Sequence, residues 1–451
     1  MSKNLAALVA ALSLTASTAM AQAPGEEAPA EQRMTLAECV ELALQRNQEL
    51  VRTDAVVAEA EAGRLSARGR YGPLLRVDAS VSRWGDSVEF TLDPAAPPLV
   101  VRDQITSQVS GSLIQPLTGL WAIHEGYKAQ TYGHDAAQHE QTAARHDVVM
   151  AVADAYYQAL GAEQLAEIAE LSVRQIEAHV EQARAFHRSG LIGKNQVLEA
   201  EVRLSEVRAS LVRARGGVTL ARANLAFQMG LPADRQVFPA PIPETEPVSI
   251  EQSYEDAAAE ALTQRSELSA IASRVEQAQA GSRAARAQML PQLSAILNAT
   301  HVEGQALARA NDWFVGLQLE WNVWEWGSTY YQSEQARARV AQAEAGQAHL
   351  REAVQLQVRR AYVELRSAEE QLRATRDAVA QAEENLRIQQ SRFEANAATT
   401  TEVLDAEALL ARARVNVTTS FYAYLRAMTA LKRALGEMPV AATATATSRR
   451  D

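Results

Sequence analysis

The sequence predicts a mainly α-helical chain with a transmembrane β portion. It reads as a duplicated repeat in which four strands per chain contribute to a trimeric 12-stranded β-barrel, while long α-helical coiled-coil hairpins form a periplasmic tunnel. Three observations carry this. Proline, which helix interiors exclude, is absent between Pro116 and Pro232 and again between Pro291 and Pro439. Two blocks of sequence recur at fixed offsets. All six tryptophans lie in or beside short alternating ribbons.

The first element is an address. Lys3 precedes an apolar run from Leu5 to Leu14, and Ala19-Met20-Ala21 is the small-x-small pattern of a signal cleavage site. Residues 1–21 are therefore expected to be a signal peptide and 22–33 an N-terminal linker. The apolar run is short of the roughly 20 residues that span a bilayer, and no apolar stretch of about 18 residues follows it. The single cysteine, Cys39, excludes an intrachain disulfide and a thiolate zinc cage. A net charge of -11 with no basic run argues against a nucleic-acid partner.

The duplication comes next. Residues 35–82 realign without a gap on 253–300: Ala43-Leu44 falls on Ala261-Leu262, Glu49-Leu50 on Glu267-Leu268 and Pro73 on Pro291. Further on, Val197-Leu198 matches Val403-Leu404 and Gly230 matches Gly436. The first repeat is placed at 34–231, a Pro-rich linker at 232–249, the second repeat at 250–436 and a disordered tail at 437–451. Each repeat reads as one moderate helix (35–70; 250–288), two strands (74–84 and 103–117; 292–303 and 312–324) and a long helical stretch folded back once.

The helical stretches carry heptads. Val358, Leu365, Leu372, Val379, Leu386 and Phe393 recur every seven residues, as do Val403, Leu410, Val417, Tyr424 and Leu431, with Ala361, Ala368 and Ala382 facing them. Such a pattern makes a coiled-coil seam. A helix from near 328 to near 393 extends about 100 Å at roughly 1.5 Å per residue. Gly190 and Asn396, residue types that accept a left-handed helix end, mark the fold-backs. Thr399-Thr400-Thr401-Glu402 reads as a capping box.

The strands alternate. Leu75, Val77, Ala79 and Val81 interleave with Arg76, Asp78, Ser80 and Ser82, and Trp313, Val315, Leu317, Leu319, Trp321 and Val323 with Gly316, Gln318, Glu320 and Asn322. The third ribbon does likewise with Ile296 as its exception. Trp84, Trp121, Trp313, Trp321, Trp324 and Trp326 cluster at these ribbons as membrane-interface girdles do. Four strands cannot close a barrel in lipid, so chains must share one; three copies supply twelve strands. The rival reading, a soluble periplasmic coiled-coil scaffold or adaptor without a pore, has no use for Trp-flanked alternating strands.

With these features the chain resembles the TolC family of outer-membrane efflux proteins over essentially its whole mature length. The matching residues include Met34-Thr35-Leu36-Ala37-Glu38, Leu113-Ile114-Gln115-Pro116-Leu117, Ala155-Tyr156-Tyr157, Val197-Leu198-Glu199-Ala200-Glu201, Leu319-Glu320-Trp321 and Glu402-Val403-Leu404-Asp405-Ala406. The resemblance implies a homotrimeric exit duct in the outer membrane of a Gram-negative bacterium, its helical part in the periplasm. It also implies a periplasmic adaptor and an inner-membrane pump of RND, ABC or MFS type as partners, no cofactor and no catalysis. By family position the periplasmic gate falls on Glu402, Asp405 and Phe393, with Gln196 at the first-repeat site equivalent to Glu402. Adaptor docking falls on the tips Gly190, Leu191, Ile192, Asn396, Ala397 and Ala398. Gln196, and Ala398 where a basic residue often sits, argue against an ionic lock and leave a more apolar closure open.

Other candidates resolve to structure. Gly193-Lys194 lacks the earlier glycine of a phosphate loop, with Arg188 in its place. His139 and His146 stand about 10 Å apart along a helix, too far for one metal, and His124 and His134 complete no metal motif. Cys39 aligns with Ala257 and reads as a small packed residue.

Overall fold

A computed structural model describes residues 33–91, 98–243, 252–306, 308–395 and 397–438. The expected signal peptide, the end of the Pro-rich linker, Asn396 and nearly all of the tail lie outside the described residues.

The first repeat contains β1 (Arg33–Met34), α1 (Leu36–Arg46), α2 (Gln48–Gly69), β2 (Leu74–Arg83), β3 (Val88–Phe90), β4 (Leu99–Pro116), α3 (Leu120–Arg188) and α4 (Lys194–Gln228). After β5 (Phe238–Pro239), which pairs with β1, the second repeat runs through α5 (Tyr254–Gln264), α6 (Ser266–Ala287), β6 (Gln292–Gln305), β7 (Asn311–Glu320), α7 (Ser328–Glu394) and α8 (Thr400–Leu435). The 69-residue α3 and 67-residue α7 are rods of about 100 Å each.

The expected single helix over 35–70 is in fact two. Asn47 is extended; its Oδ1 accepts from the Glu49 amide at 2.8 Å, capping α2, and its Nδ2 donates to the Gln228 carbonyl at 2.7 Å. At the end of α4, Gly230 has φ +74°, and a Cβ there would stand 2.5 Å from the Arg46 carbonyl oxygen. The break is thus held by a backbone approach that only glycine permits. The second repeat does the same: the expected helix over 250–288 breaks at Arg265, against Gly436 at φ +92°.

The long helices pack as the heptads require. Val358, Leu365 and Leu372 of α7 and Tyr424 and Leu431 of α8 are buried in one core with Cys39, Val149, Val152 and Tyr156, while Leu386, Phe393, Val403 and Leu410 form a second core toward the fold-back. Cys39 and its counterpart Ala257 are both buried in the first core. Alanines 361, 368 and 382 are buried as well, allowing close approach of the helices.

Apart from the parallel pair β1–β5, the strands form one antiparallel sheet in the order β2-β4-β6-β7, with β3 added against β4. The fourth strand, expected over 312–324, ends at Glu320. Glu320 pairs with Gln292, the first residue of β6, and the preceding Pro291 has no N–H to extend the ladder. Trp321, Trp324 and Trp326 therefore lie in the connection to α7.

Candidate functional site: a lipid-facing sheet and two helical tips

The register puts the four apolar faces on one side. Leu75 opposes Leu113, which opposes Leu297, which opposes Val315; the next row is Val77, Gly111, Ala299 and Trp313. Val315, Leu317 and Leu319 are about two-thirds exposed, and the exposed apolar surface continues through Leu75, Val77, Val81, Ile105 and Val109. A contiguous face of this kind belongs against lipid or another protein. Its apolar stretch is slanted: it covers 313–319 on β7 and 293–299 on β6 but 105–113 on β4 and 75–81 on β2, reaching further outward at the β2 edge. A level hydrocarbon slab draws that slant across strands tilted to it.

The other face is polar. Asp78, Ser110, Thr300 and Asp312 share one row, and Arg76, Ser112 and Asn298 share another with Phe314. Ile296, the exception to the alternation, sits in a row with Leu74, Ile114 and Gly316 beside the helices, where the polar face meets the helical body.

Trp121, Trp321, Trp324 and Trp326 gather at the helical end of the sheet, and Trp84 and Trp313 lie further out along the strands. The Trp321 indole donates to the Met289 carbonyl at 3.3 Å, and the Trp324 and Trp326 rings meet edge to face at 5.8 Å. Trp84 donates to Thr106 Oγ1 at 3.1 Å and carries the Arg102 guanidinium 4.0 Å above its ring. Trp84 and Trp321 thus keep an exposed apolar ring and a hydrogen-bonded N–H, as an interface anchor does.

At the far end the two helical hairpins turn side by side. Gly190 has φ +77° and Leu191 is exposed, while the Ile192 carbonyl meets His187 Nδ1 at 3.0 Å. In the second turn Arg392 donates to the Ala397 carbonyl at 3.0 Å, and Ala398 packs on the core below. The capping box forms: the Glu402 carboxylate accepts from the Thr399 amide at 2.6 Å, and Thr399 Oγ1 accepts from the Glu402 amide. Those bonds, first from the Thr399 backbone and then from its side chain, hold the Glu402 carboxyl below its usual range and keep it ionised. Arg392 lies 3.7 Å from Glu402, so the basic partner that Ala398 does not supply comes from the other side of the turn. Asp405 is exposed one turn further along α8.

The hairpins touch through Gln196, expected at the gate, and through Thr400, Thr401 and Glu199, for which no site role was expected. Buried Thr400 donates to Gln196 Oε1 at 3.2 Å, and Thr401 donates to Glu199 at 3.0 Å. Glu199 and Thr401 both lie in the first two turns of the helices that follow the duplicated fold-backs, but no local pattern says that two turns some 200 residues apart meet. Phe393 is buried, its ring stacked at 5.3 Å on Phe186 of α3. It joins the hairpins and faces no open space.

A family model for outer membrane efflux proteins matches residues 39–231 and again 257–437. The chain belongs to the outer membrane efflux protein family. No curated protein matches it by sequence. Among solved structures, the outer membrane protein VceC from Vibrio cholerae matches with a TM-score of 0.73 at 20% identity, covering 89% of this chain and 96% of that one. The Campylobacter jejuni CmeC outer membrane channel matches at TM-score 0.77 and 16% identity, covering 89% and 85%. The Neisseria gonorrhoeae MtrE outer membrane channel in its open state matches at 0.71 and 19%, covering 90% and 89%. At such identities these likenesses show the fold. The place of this outer membrane efflux protein is the outer membrane, its helical part in the periplasm.

One further group of this efflux protein sits apart from the expected sites. Glu407 on α8 is buried against α3 and α4, its Oε2 has no partner, and burial pushes its carboxyl up to about 7 despite Arg203 nearby. A raised carboxyl binds protons more tightly folded than unfolded, so its cost to stability is absent below pH 4.5 and grows until about pH 7. Glu407→Gln is expected to raise the unfolding temperature most at pH 8 and not at all near pH 4.5, measured by circular dichroism in detergent.

Proposed function

We propose that three copies of this chain close a 12-stranded barrel and a helical tunnel, and that the assembly is the passive exit duct of a tripartite efflux or type I secretion system. The observation that carries this reading is a set of missing neighbours. Within one chain the first repeat meets the second through β4 on β6, α3 on α6 and α3 on α8. By the duplication each joint has a counterpart: β7 on β2, α7 on α2 and α7 on α4. Among the described residues none of these appears in the principal contacts of one chain, and all three would form along one seam with the next copy.

The surfaces fit that seam. β2 and β7 are the open edges of the sheet. Exposed apolar residues run along α4 (Leu198, Val202, Val212, Leu220, Phe227) and α7 (Leu356, Val363, Ile388). An open strand edge in hydrocarbon leaves backbone groups unpaired, so the ring must close.

In this reading the barrel's polar face lines the passage. The tips at Gly190–Ile192 and Asn396–Ala398 face a periplasmic adaptor, which hands over substrate from an inner-membrane pump of RND, ABC or MFS type. Asp405 and Glu402 form the acidic rings of the gate, and Phe393 and Gln196 hold the inner hairpin (α7 and α8) against the outer hairpin (α3 and α4). An adaptor opens the gate by binding the separated tip better than the closed one.

The test is the protein mass of the species extracted in detergent from outer membranes, by light scattering corrected for bound detergent. A trimer is the expected result; a monomer in the soluble periplasmic fraction would remove the duct reading. In single-channel recordings, Glu402→Ala with Asp405→Ala is expected to lower cation selectivity severalfold, and unchanged selectivity would take the gate away from these two acids.

A further inference from the structure

The outer hairpin holds the inner fold-back through three rings. Phe393, next to last in α7, stacks on Phe186 at 5.3 Å and lies 5.0 Å from the ring of His179, both on α3. His179 is 4% exposed and its Nε2 has no hydrogen-bond partner. On its far side Phe393 joins Leu386, Val403 and Leu410, the core that keeps α7 and α8 together near the turn. The other bonds between the tips, Thr400 to Gln196 and Thr401 to Glu199, are single neutral-donor contacts, the second of them exposed. The ring cluster is therefore the apolar joint between α7 and the outer hairpin at this level, beside the cluster of Ile176, Val180, Ala200 and Leu404 that joins α8 to it.

Nothing around His179 is arranged to receive a charge. On its own helix Glu177 is held by Arg208 at 2.7 Å, and Glu181 by Arg184, which also holds Glu201 of α4. On α4, Glu199 accepts from Thr401. On α7, Arg392 faces Glu402 and Glu394 is exposed. On α8, Glu402 caps its helix, Asp405 is exposed and Glu407 is buried against α4. Among the described residues no carboxylate bonds to the ring.

We propose that His179 is an acid-sensitive latch of the tip, a positioning residue that packs Phe393 onto α3 while neutral and releases it on taking up a proton. This rests on the duct reading, in which the inner fold-back swings away from the outer hairpin to open the gate. The direction follows from burial, which lowers the readiness of this imidazole to protonate below its ordinary 6.5. Above pH 6.5 both the packed and the released ring are neutral, and the joint has its full stability. As pH falls below that value the released ring binds a proton that the packed ring refuses, and the joint weakens.

The experiment places a bimane fluorophore on E394C and a quenching tryptophan at R188W, in full-length protein carrying C39A so that only one thiol reacts. The six native tryptophans all lie at the sheet end of the molecule and do not reach the tip. Quenching is expected to be strong at pH 7.5 and to fall at least twofold by pH 5. With His179→Leu it is expected to stay strong throughout, and likewise with His179→Gln, which keeps a polar neutral side chain if the leucine variant fails to assemble. Quenching that ignores pH in the parent protein, or that falls at the same pH in both variants, would overturn the latch. Because the fluorophore reads the joint without current, a pH response in a protein that conducts nothing in a planar bilayer would keep the latch and remove the duct.

Discussion

Leu317→Arg is expected to abolish the assembled, detergent-stable oligomer, whereas Gln318→Arg one residue away leaves it intact. Leu317 lies within the apolar window of β7, opposite Ala295, and is exposed beside Val315 and Leu319. If that face meets hydrocarbon, an arginine near the midplane costs about 2–4 kcal/mol in each chain. In a ring the cost recurs in every copy. Gln318 opposes Ser294 on the other face, where a charged side chain stays in water. Unfolding by denaturant from lipid vesicles measures the difference. Equal tolerance of both arginines would mean that the sheet does not separate lipid from water.

The second large effect is expected at the joint of the two repeats. Arg433→Met is expected to cost about 3–5 kcal/mol, the usual loss when one partner of a buried ion pair is removed. Arg433 is 6% exposed on α8; its Nε donates to Asp147 of α3 at 2.7 Å and its Nη2 to Glu267 of α6. Arg265, at the break between α5 and α6, donates to the same Glu267 at 2.8 Å and to Gln357 of α7 at 2.7 Å. Burial alone would raise the Glu267 carboxyl, but the bonds from Arg265 and Arg433 win and bring it to about 2. Its stabilising contribution is therefore present above pH 4.5 and lost as pH falls toward 2. In Arg433→Met the stability of the purified protein should lose part of that acid dependence as well as its magnitude, because Glu267 keeps only Arg265. A cost below about 1 kcal/mol would class the network with surface pairs.

How far these features were legible in the sequence depends on the range of the interaction that makes them. The heptads placed Phe393 and Val403 at the α7–α8 seam because a helix fixes which side chains share a face within a few residues. The capping box at Thr399 and Glu402 is equally local, and both form. The helix breaks were not legible. Asn47 and Arg265 stop their helices because Gly230 and Gly436, which arrive from the other end of each repeat, need the space. The buried state of Glu407 and the contact of Thr401 with Glu199 are likewise products of two hairpins meeting. Arg392 supplies the basic partner of Glu402 across a turn whose path the sequence left open.

By itself the sequence determined the duplication, the long paired helices with their fold-backs, and the presence of alternating Trp-flanked strands, because periodicity and chain-breaking residues act over one or two turns of chain. Only the tertiary structure decided that all four apolar faces fall in phase on one side of the sheet, with a slanted band, and that β4 and α3 find neighbours within the chain that their counterparts β7 and α7 lack. Register and packing partners are set by groups about 200 residues apart, and no local pattern of side chains records which of them will meet.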